Sequence, residues 1–266
     1  MTGQKGRVLI IAGSDSGGGA GIQADIKSVT ALGGYAATAV TAITVQNTHG
    51  VTAVHPVPDD IVEAQARAVL DDIGADVIKT GMLASPALVK LVAALMQDYP
   101  GIPLVLDPVM VATSGDELVG AEAAAAIRDV LVPVAALVTP NAPEAEKLTG
   151  LAVTNTQEQA DAGKALVAAG AGSALVKGGH LSGPVITDVL VTPDTTIVFE
   201  SERLDTRNTH GTGCTLASAI AAGLAKGRTL PDSIEAAGRY LAEAIRRAPG
   251  FGSGHGPVDH AWVVRR

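Results

Sequence analysis

Aromatic residues and cysteine are scarce in this sequence of 266 residues. Phe, Tyr and Trp together make up 2% of the chain, and Cys214 is its one cysteine. A single thiol forms no internal disulfide, so the sequence excludes a small secreted domain held by disulfides. A zinc site built mainly from thiolates is excluded for the same reason. With so few large rings, the core has to be made from Ala, Val, Leu and Ile.

An excess of basic residues is also missing. Lys and Arg number 19 against 27 Asp and Glu, a formal net charge of −8. Proteins that bind nucleic acid or anionic membranes usually need a positive field, so we expect neither as a partner. No apolar run reaches the roughly 18 residues of a membrane helix, and residues 1–7 are polar and lack a signal-peptide core. These absences predict a cytoplasmic protein.

Strand-like and helix-like segments alternate along the chain, without a linker, repeat or low-complexity block. Short apolar runs rich in β-branched residues predict the strands, and apolar residues at helical spacing predict the helices. The alternation predicts one α/β domain over residues 1–266, with a mostly parallel sheet, flanking helices and a short antiparallel hairpin. The predicted strands span 8–12, 36–45, 51–57, 76–80, 104–107, 135–139, 174–177, 185–191 and 196–199; the predicted helices span 21–32, 60–73, 86–98, 117–131, 156–169, 212–225 and 231–248.

Small and polar residues follow most of these strands. Gln46 follows the second strand, and Asp107, Asn141 and Lys177 end or follow later ones. The carboxyl ends of parallel strands share one edge of a sheet, where ligands of such folds bind. We therefore expect these side chains to converge on a ligand.

The first glycine-rich segment, residues 13–21, joins the first strand to the first helix. Glycines at this density indicate that backbone approaches a ligand closely. Its end, Gly19-Ala20-Gly21-Ile22-Gln23-Ala24, formally matches G-x-G-x-x-A. A dinucleotide site also needs an acidic residue about twenty positions later, and none occurs between Asp25 and Asp59. No P-loop sequence is present either.

The second glycine element, Gly211-Thr212-Gly213, opens an apolar helix with Cys214 in its first turn. Backbone N–H groups at the positive end of a helix dipole form an anion site, suited to a phosphoryl group in transfer. A thiol at a helix N-terminus has a lowered pKa and can act as a thiolate. A small buried hydrophobic role is the alternative for Cys214.

Seven motifs, in order, resemble those of the hydroxymethylpyrimidine/phosphomethylpyrimidine kinases, enzymes of thiamine biosynthesis in the ribokinase-like superfamily. The resemblance implies a three-layer α/β/α fold without a P-loop. It also implies phosphorylation of a hydroxymethyl or phosphate acceptor by MgATP. The motifs lie at residues 13–27, 41–48, 106–110, 139–144, 177–180, 208–214 and 254–260.

The resemblance implies a pyrimidine pocket. Gln46 resembles the glutamine that reads the aminopyrimidine, and an amide suits this role because it offers a donor beside an acceptor. Met82 and Val109 resemble its apolar walls. The other implied lining residues are Asp25, Gly19, Ala20 and Gly21.

The resemblance also implies the residues of phosphoryl transfer. Cys214 resembles the catalytic base, with Gly211, Thr212 and Gly213 around the transferred group. Asn141 and Glu144 resemble the motif that holds Mg²⁺ through water, with Asp107 in the same network. The implied nucleotide-binding residues are Lys177, Thr187, Asp188 and His210, although His210 could instead shape the turn. The family also implies a homodimer, and its tail motif around His255 carries no assigned chemistry.

Three alternatives remain open at this point. A pyridoxal/pyridoxine kinase, or a bifunctional enzyme, would act on a similar hydroxymethyl group. A non-catalytic pyrimidine-binding protein on the same fold would be favoured if the glycine turn, Cys214 or the N-x-x-E motif had been replaced. All three are present in the sequence. A nicotinamide-dependent oxidoreductase is disfavoured by the missing ribose carboxylate.

Overall fold

The structure is a computed structural model that describes residues 6–111, 115 and 118–265. The described chain forms two compact units. Of the described residues, the first comprises 6–82, 111, 115, 118 and 204–265, and the second comprises Leu83–Met110 and Val119–Arg203. The predicted single domain over residues 1–266 stays a prediction.

The described residues form strands and helices in the predicted alternation. The strands are β1 Arg7–Ser14, β2 Tyr35–Asn47, β3 Gly50–Pro56, β4 Val77–Thr80, β5 Leu104–Leu106, β6 Leu137–Val138, β7 Ala174–Val176, β8 Val185–Val191 and β9 Thr196–Glu202. The helices are α1 Gly21–Ala31, α2 Asp59–Asp72, α3 Pro86–Asp98, α4 Ala121–Ala126, α5 Ala142–Thr149, α6 Thr156–Ala168, α7 Thr212–Ala225 and α8 Leu230–Arg246.

The first unit contains strands in the order β3-β2-β1-β4. β1 runs parallel to β2 and β4, whereas β3 pairs antiparallel with β2. The residues 8–13 of β1 are all buried, which explains their continuous apolar run. Helix α7 has ten buried residues and packs against α1, α8 and β4. Its small residues, mostly alanine, allow this close packing of a buried helix.

The second unit contains strands in the order β5-β6-β7-β8-β9. β5, β6 and β7 are parallel, and β8 and β9 form the predicted antiparallel hairpin, which pairs antiparallel with β7. The strands β5, β6 and β7 are buried throughout. Two of the three strand pairs described in the first unit are parallel, and in the second unit the buried strands β5, β6 and β7 are parallel while the hairpin pairs are antiparallel.

The prediction of one continuous helix over residues 117–131 is wrong. An α-helix covers Ala121–Ala126, and a π-helical turn then covers Ile127–Leu131. A 3₁₀ turn at Val132–Val134 follows, because Pro133 cannot continue an α-helical ladder. Glu117, the predicted first residue, lies outside the described residues.

Helix α5 was not among the predicted elements, although its start is well specified. Asn141 Oδ1 accepts a hydrogen bond from Glu144 N, and a Glu144 carboxylate oxygen accepts one from Asn141 N. This is a capping box, and Pro143 lies in the first turn, where its missing N–H costs nothing. The helix ends at Gly150 in the left-handed conformation.

Among the helices of the described chain, none has the length and apolar character needed to cross a membrane. The cytoplasmic location stays a prediction.

Candidate active site

The turn before α7 lies where the sequence predicts an anion site, and anion binding there stays a prediction. Gly211 is left-handed, with φ +79°, and a Cβ at this position would overlap Gly19 O. The first helical hydrogen bond runs from Thr215 N to Gly211 O at 2.9 Å. The Thr212 N–H donates to Thr209 O at 3.3 Å, and the N–H groups of Gly213 and Cys214 also lie in the first turn, at the positive end of the dipole.

Cys214 is the third residue of α7 and is half-buried. This placement puts the cysteine within the first turn, with part of the residue exposed. The role of Cys214 as the catalytic base stays a prediction.

The first glycine-rich loop is organised by Asp15, a residue that the sequence analysis did not single out. The Asp15 carboxylate accepts hydrogen bonds from the N–H groups of Gly17 (2.7 Å), Gly19 (2.9 Å) and Ala20 (2.8 Å). It also bonds His210 Nε2 at 2.9 Å. Three amides of this loop therefore point at a protein carboxylate. An aspartate ahead of a glycine cluster is the sequence signal that could have indicated this.

These partners stabilise the ionised form of the Asp15 carboxylate. Burial by itself raises the pKa of Asp15, but the hydrogen bonds from His210 and the loop amides outweigh it and lower the pKa below its ordinary value. His210 thus joins the glycine loop to the turn before α7. Of its two predicted roles, the structure places it in the turn-forming one, and a nucleotide contact stays a prediction.

Gln46 lies near the end of β2, beside the same loop. The pairing register with β3 shifts between Val45 and Gln46, and such a bulge redirects the side chains that follow it. Ser16 Oγ lies 2.8 Å from Gln46 O and 2.9 Å from Gln46 N, so the loop clamps this strand end. Gln46 Oε1 accepts a hydrogen bond from Thr44 Oγ1 at 3.1 Å.

Met82 is buried against the start of the glycine loop. A Cβ at Gly13 would lie 2.8 Å from Met82 Cε, and Thr41 Oγ1 donates to Met82 O at 3.1 Å. This placement fits the predicted apolar wall. Val109 belongs to the second unit, where it is half-buried and its N–H donates to Asp107 O at 2.8 Å.

Asp25 lies in a buried ionic network of the first unit. Its Oδ1 is 2.9 Å from Lys79 Nζ and 2.7 Å from Ser218 Oγ. All three residues are 0% exposed. The network joins α1, β4 and α7, and the predicted role of Asp25 in lining the pyrimidine pocket stays a prediction. The sequence analysis missed Lys79, since a lysine near a strand end gives no sign of complete burial.

In the second unit, Asp107 and Lys177 form an ion pair at the ends of β5 and β7. Lys177 Nζ is 3.2 Å from Asp107 Oδ1, and Thr139 Oγ1 donates to the same oxygen at 3.1 Å. Asp107 is buried, and its Oδ2 has no hydrogen-bond partner among the described residues. The predicted convergence of strand-end residues is confirmed for this pair.

Glu144 lies close enough to this pair to interact with it electrostatically. Burial raises the pKa of Glu144 to about 7; the Lys177 ammonium opposes the shift, and the Asp107 carboxylate adds to it. Asn141 forms an isolated β-bridge with Lys177, so the capping box lies beside the ion pair. The predicted set of Asp107, Asn141, Glu144 and Lys177 is therefore brought together within one unit.

Thr187 and Asp188 support the chain on either side of Lys177. Asp188 Oδ1 accepts a hydrogen bond from Gly178 N at 2.9 Å, and burial raises the pKa of Asp188. Gln159, which the sequence analysis missed, is fully buried and donates to Val176 O (3.0 Å) and Thr187 O (2.8 Å). It thereby bridges β7 and β8. Nucleotide contacts by Thr187 and Asp188 stay predictions.

His260 connects the tail of the chain to the start of α7 and makes stability depend on pH. It is 4% exposed, and its Nε2 lies 2.9 Å from Thr215 Oγ1. Burial, aided by the positive charge of Lys27, lowers the pKa of His260 from 6.5 to about 4. Between these pH values the unfolded chain binds a proton that the folded chain does not, so stability falls as pH falls.

We expect protonation linked to His260 to lower the free energy of unfolding by about 3 kcal/mol as the pH falls from 7 to 4. Urea unfolding at several pH values measures the loss. The variant His260→Gln should show a shallower decline, whereas His55→Gln, which changes an exposed histidine, should follow the parent. Equal pH slopes in all three proteins would contradict the prediction.

Comparisons with known proteins agree with these observations. The model of the phosphomethylpyrimidine kinase family matches residues 15–259. The chain belongs to this family. It is 47% identical to the hydroxymethylpyrimidine/phosphomethylpyrimidine kinase of Streptomyces coelicolor, over 97% of this chain and 95% of that protein. The family membership confirms the resemblance found in the sequence and the predicted enzyme class.

Two further similarities define the relationship. A thiamine biosynthesis bifunctional protein of Geobacter sulfurreducens is 48% identical over 96% of this chain, and the chain spans about half (52%) of its length. The structure of an ADP complex of Bacillus subtilis pyridoxal kinase superposes with a TM-score of 0.90 at 37% identity, over 98% of this chain and 99% of that one. The predicted α/β fold of this kinase class, with flanking helices and a mostly parallel sheet, is confirmed.

Proposed function

We propose that this chain is an MgATP-dependent kinase of thiamine biosynthesis. It phosphorylates 4-amino-5-hydroxymethyl-2-methylpyrimidine and then its monophosphate, yielding the diphosphate. The observation that carries the proposal is the Gly211–Cys214 turn: a left-handed glycine, first-turn amides at the positive end of the α7 dipole and a half-buried cysteine at one helix N-terminus, in a member of this family. The similarity to an ADP complex supports adenine nucleotide as the phosphoryl donor.

The chemistry proposed for the turn follows from its geometry. The hydroxymethyl oxygen attacks the γ-phosphorus, its proton passes to the Cys214 thiolate, and ADP leaves. The amides at the start of α7 stabilise the charge on the transferred group. Gln46 orients the acceptor by pairing its amide with the ring nitrogen and exocyclic amine. In the second reaction the acceptor atom is a phosphate oxygen, which is mostly ionised at neutral pH.

The second unit contains residues that fit a magnesium ion. Asp107 Oδ2 is buried without a hydrogen-bond partner among the described residues, and Glu144 adds a second carboxylate nearby. Carboxylate oxygen is the ligand that Mg²⁺ prefers, with several positions left to water and phosphate. Within the described chain, no group of three or more His, Cys, Asp or Glu side chains is placed to hold a metal. The bound ion would neutralise phosphate charge.

Removing the Asp107 carboxylate should weaken the binding of this ion. For Asp107→Asn, we expect the Mg²⁺ concentration for half-maximal activity to rise by about 10–100-fold, the effect typical of lost metal-site partners. Asp129→Asn, which changes an exposed aspartate of the same unit, should leave the Mg²⁺ titration unchanged. A lowered maximal rate with an unchanged Mg²⁺ titration would contradict the assignment.

One assay tests the proposed function. The purified protein is incubated with MgATP and, separately, the hydroxymethylpyrimidine, its monophosphate and pyridoxal, and ADP and phosphorylated products are followed. We expect ADP and product with both pyrimidines. An absence of ADP with either pyrimidine would contradict the proposal.

A pyridoxal kinase activity is the second candidate, favoured by the TM-score of 0.90 with the Bacillus subtilis pyridoxal kinase. Product formed with pyridoxal alone would make it the function, and product with all three acceptors would indicate a bifunctional enzyme.

We also propose that the chain forms a homodimer, as the family resemblance implies. The β2–β3 ribbon exposes Ile43 and Val45, which are 54% and 60% accessible, on one face. Such exposed apolar side chains are compatible with a second copy. Light scattering on the purified protein measures the mass directly.

A further inference from the structure

The tail segment 252–257 touches each of the three elements of the first unit that carry the candidate acceptor site. Its motif was the one element of the sequence without assigned chemistry. The elements it touches are the glycine loop, the turn that follows Gln46, and the residues that precede Gly211.

The contacts at the first end of this segment hold the β2–β3 turn. His255 N donates to Thr48 O at 2.8 Å, and Gly254 N donates to Thr48 Oγ1 at 3.3 Å. His49 Nε2 lies 2.9 Å from Ser253 Oγ. A Cβ at position 254 would overlap Thr48 O, so only glycine allows this approach.

The contacts at the other end hold the residues before α7. His210 N donates to Gly256 O at 3.1 Å, and His210 and Pro257 form a β-bridge. A Cβ at Gly19 would lie 3.0 Å from Pro257 Cβ, so the glycine loop also packs here. A Cβ at position 256 would overlap Asn208 Oδ1.

The segment is anchored beyond both contacts. Asp259 N donates to Ala244 O at 2.9 Å, and Tyr240 Oη donates to His260 O at 2.7 Å. Both partners belong to α8, so the segment is anchored to a regular helix. An anchored segment can fix the positions of the elements that it contacts.

We propose that residues 252–257 form a strap that positions the acceptor: it holds the strand end bearing Gln46 and the turn bearing Gly211 and Cys214 around the same molecule. Thr48 is two residues after Gln46, and His210 immediately precedes Gly211. A displacement of the strap therefore moves the acceptor-reading amide relative to the group that takes the proton. The strap residues position other residues and need not contact the acceptor. The inference rests on the proposed function.

The variant Gly254→Ala tests the strap, because the added methyl group meets backbone that cannot move aside cheaply. We expect the KM for the acceptor to rise by at least about 10-fold, the cost of roughly one misplaced hydrogen bond, with the KM for ATP unchanged. Gly238→Ala is the control, since its Cβ meets nothing within 4 Å. An unchanged acceptor KM in a folded Gly254→Ala protein overturns the proposal.

Hydrogen exchange of the unmodified protein provides a second measurement that does not depend on a variant folding. Binding of the acceptor should slow exchange in peptides covering 46–50, 207–211 and 252–257 together. If the acceptor slows exchange at residues 46–50 but leaves exchange in the strap unchanged, the proposal is overturned. The acceptor in these experiments is the one that the unmodified protein phosphorylates, the pyrimidine or pyridoxal. If the proposed pyrimidine function fails, the protein phosphorylates pyridoxal alone, and the strap is then tested with pyridoxal.

Discussion

Replacement of Cys214 with alanine is expected to lower kcat for the hydroxymethylpyrimidine by roughly 10²–10⁴-fold, the usual contribution of a general base. Pyrimidine binding should be largely retained, since Gln46 and Met82 are untouched. The loss should be much smaller with the monophosphate, because its attacking phosphate oxygen is already ionised at neutral pH and needs no base. Steady-state assays with each acceptor separately measure both effects.

Two further variants separate chemistry from packing. Cys214→Ser keeps the size of the side chain but has a hydroxyl of high pKa, so it should lose as much of the first activity as the alanine variant. Cys214→Asp supplies a carboxylate that can accept a proton and should recover part of it. A kcat near that of the parent protein in Cys214→Ala, with the hydroxymethylpyrimidine, would refute the assignment of the base.

The second large effect is expected on stability, from the buried pair of Lys79 and Asp25. Lys79→Met leaves the Asp25 carboxylate inside the protein with Ser218 and without its ammonium partner. Breaking a buried ion pair in this way typically costs about 3–5 kcal/mol. We expect the free energy of unfolding, measured by urea titration, to fall by about that amount. Lys164→Met, at an exposed ion pair, should change it by less than about 1 kcal/mol.

The double variant Asp25→Asn/Lys79→Met removes both charges and should recover most of the lost stability, since an uncharged pair carries no unpaired buried charge. A double variant as unstable as Lys79→Met would contradict the ion-pair explanation. The same protein tests the predicted pocket role of Asp25. An unchanged KM for the pyrimidine would assign this carboxylate to stability alone, and an increased KM would support a place in the pocket wall.

The elements that were predicted best are those with strong local signals. Helix α7 was predicted at its observed bounds, because a glycine turn precedes it and its apolar run is uninterrupted. The β8–β9 hairpin was also recovered, since its alternating strands flank Pro193-Asp194. The helix predicted over residues 117–131 failed because the spacing of the apolar residues Ile127 and Leu131 does not distinguish a π-helical turn from an α-helical one. Helix α5 was missed because it spans only eight residues, although Asn141, Pro143 and Glu144 mark its start.

The sequence by itself determined the fold class, the family and the residue types available for catalysis. Periodicity and turn chemistry are local properties of the sequence. A set of motifs in a fixed order can also be recognised without knowing which residues are in contact. Only the tertiary structure decided which of these side chains meet. It placed His210 against Asp15 and Asp107 against Lys177. The paired residues are separated by up to 195 positions in the sequence, and only folding brings them into contact.

The one scarce residue type illustrates the same division. That the chain has a single cysteine, next to a Gly-Thr-Gly turn, is evident from the sequence. Its half-buried position at the start of α7 is a property of the fold. So is the buried ionic network one helical turn further along, where Lys79 bonds Asp25 and Asp25 bonds Ser218. Burial of a charged lysine is stable only when a counter-charge from another element reaches it, and pairing between distant segments is information that no local pattern contains.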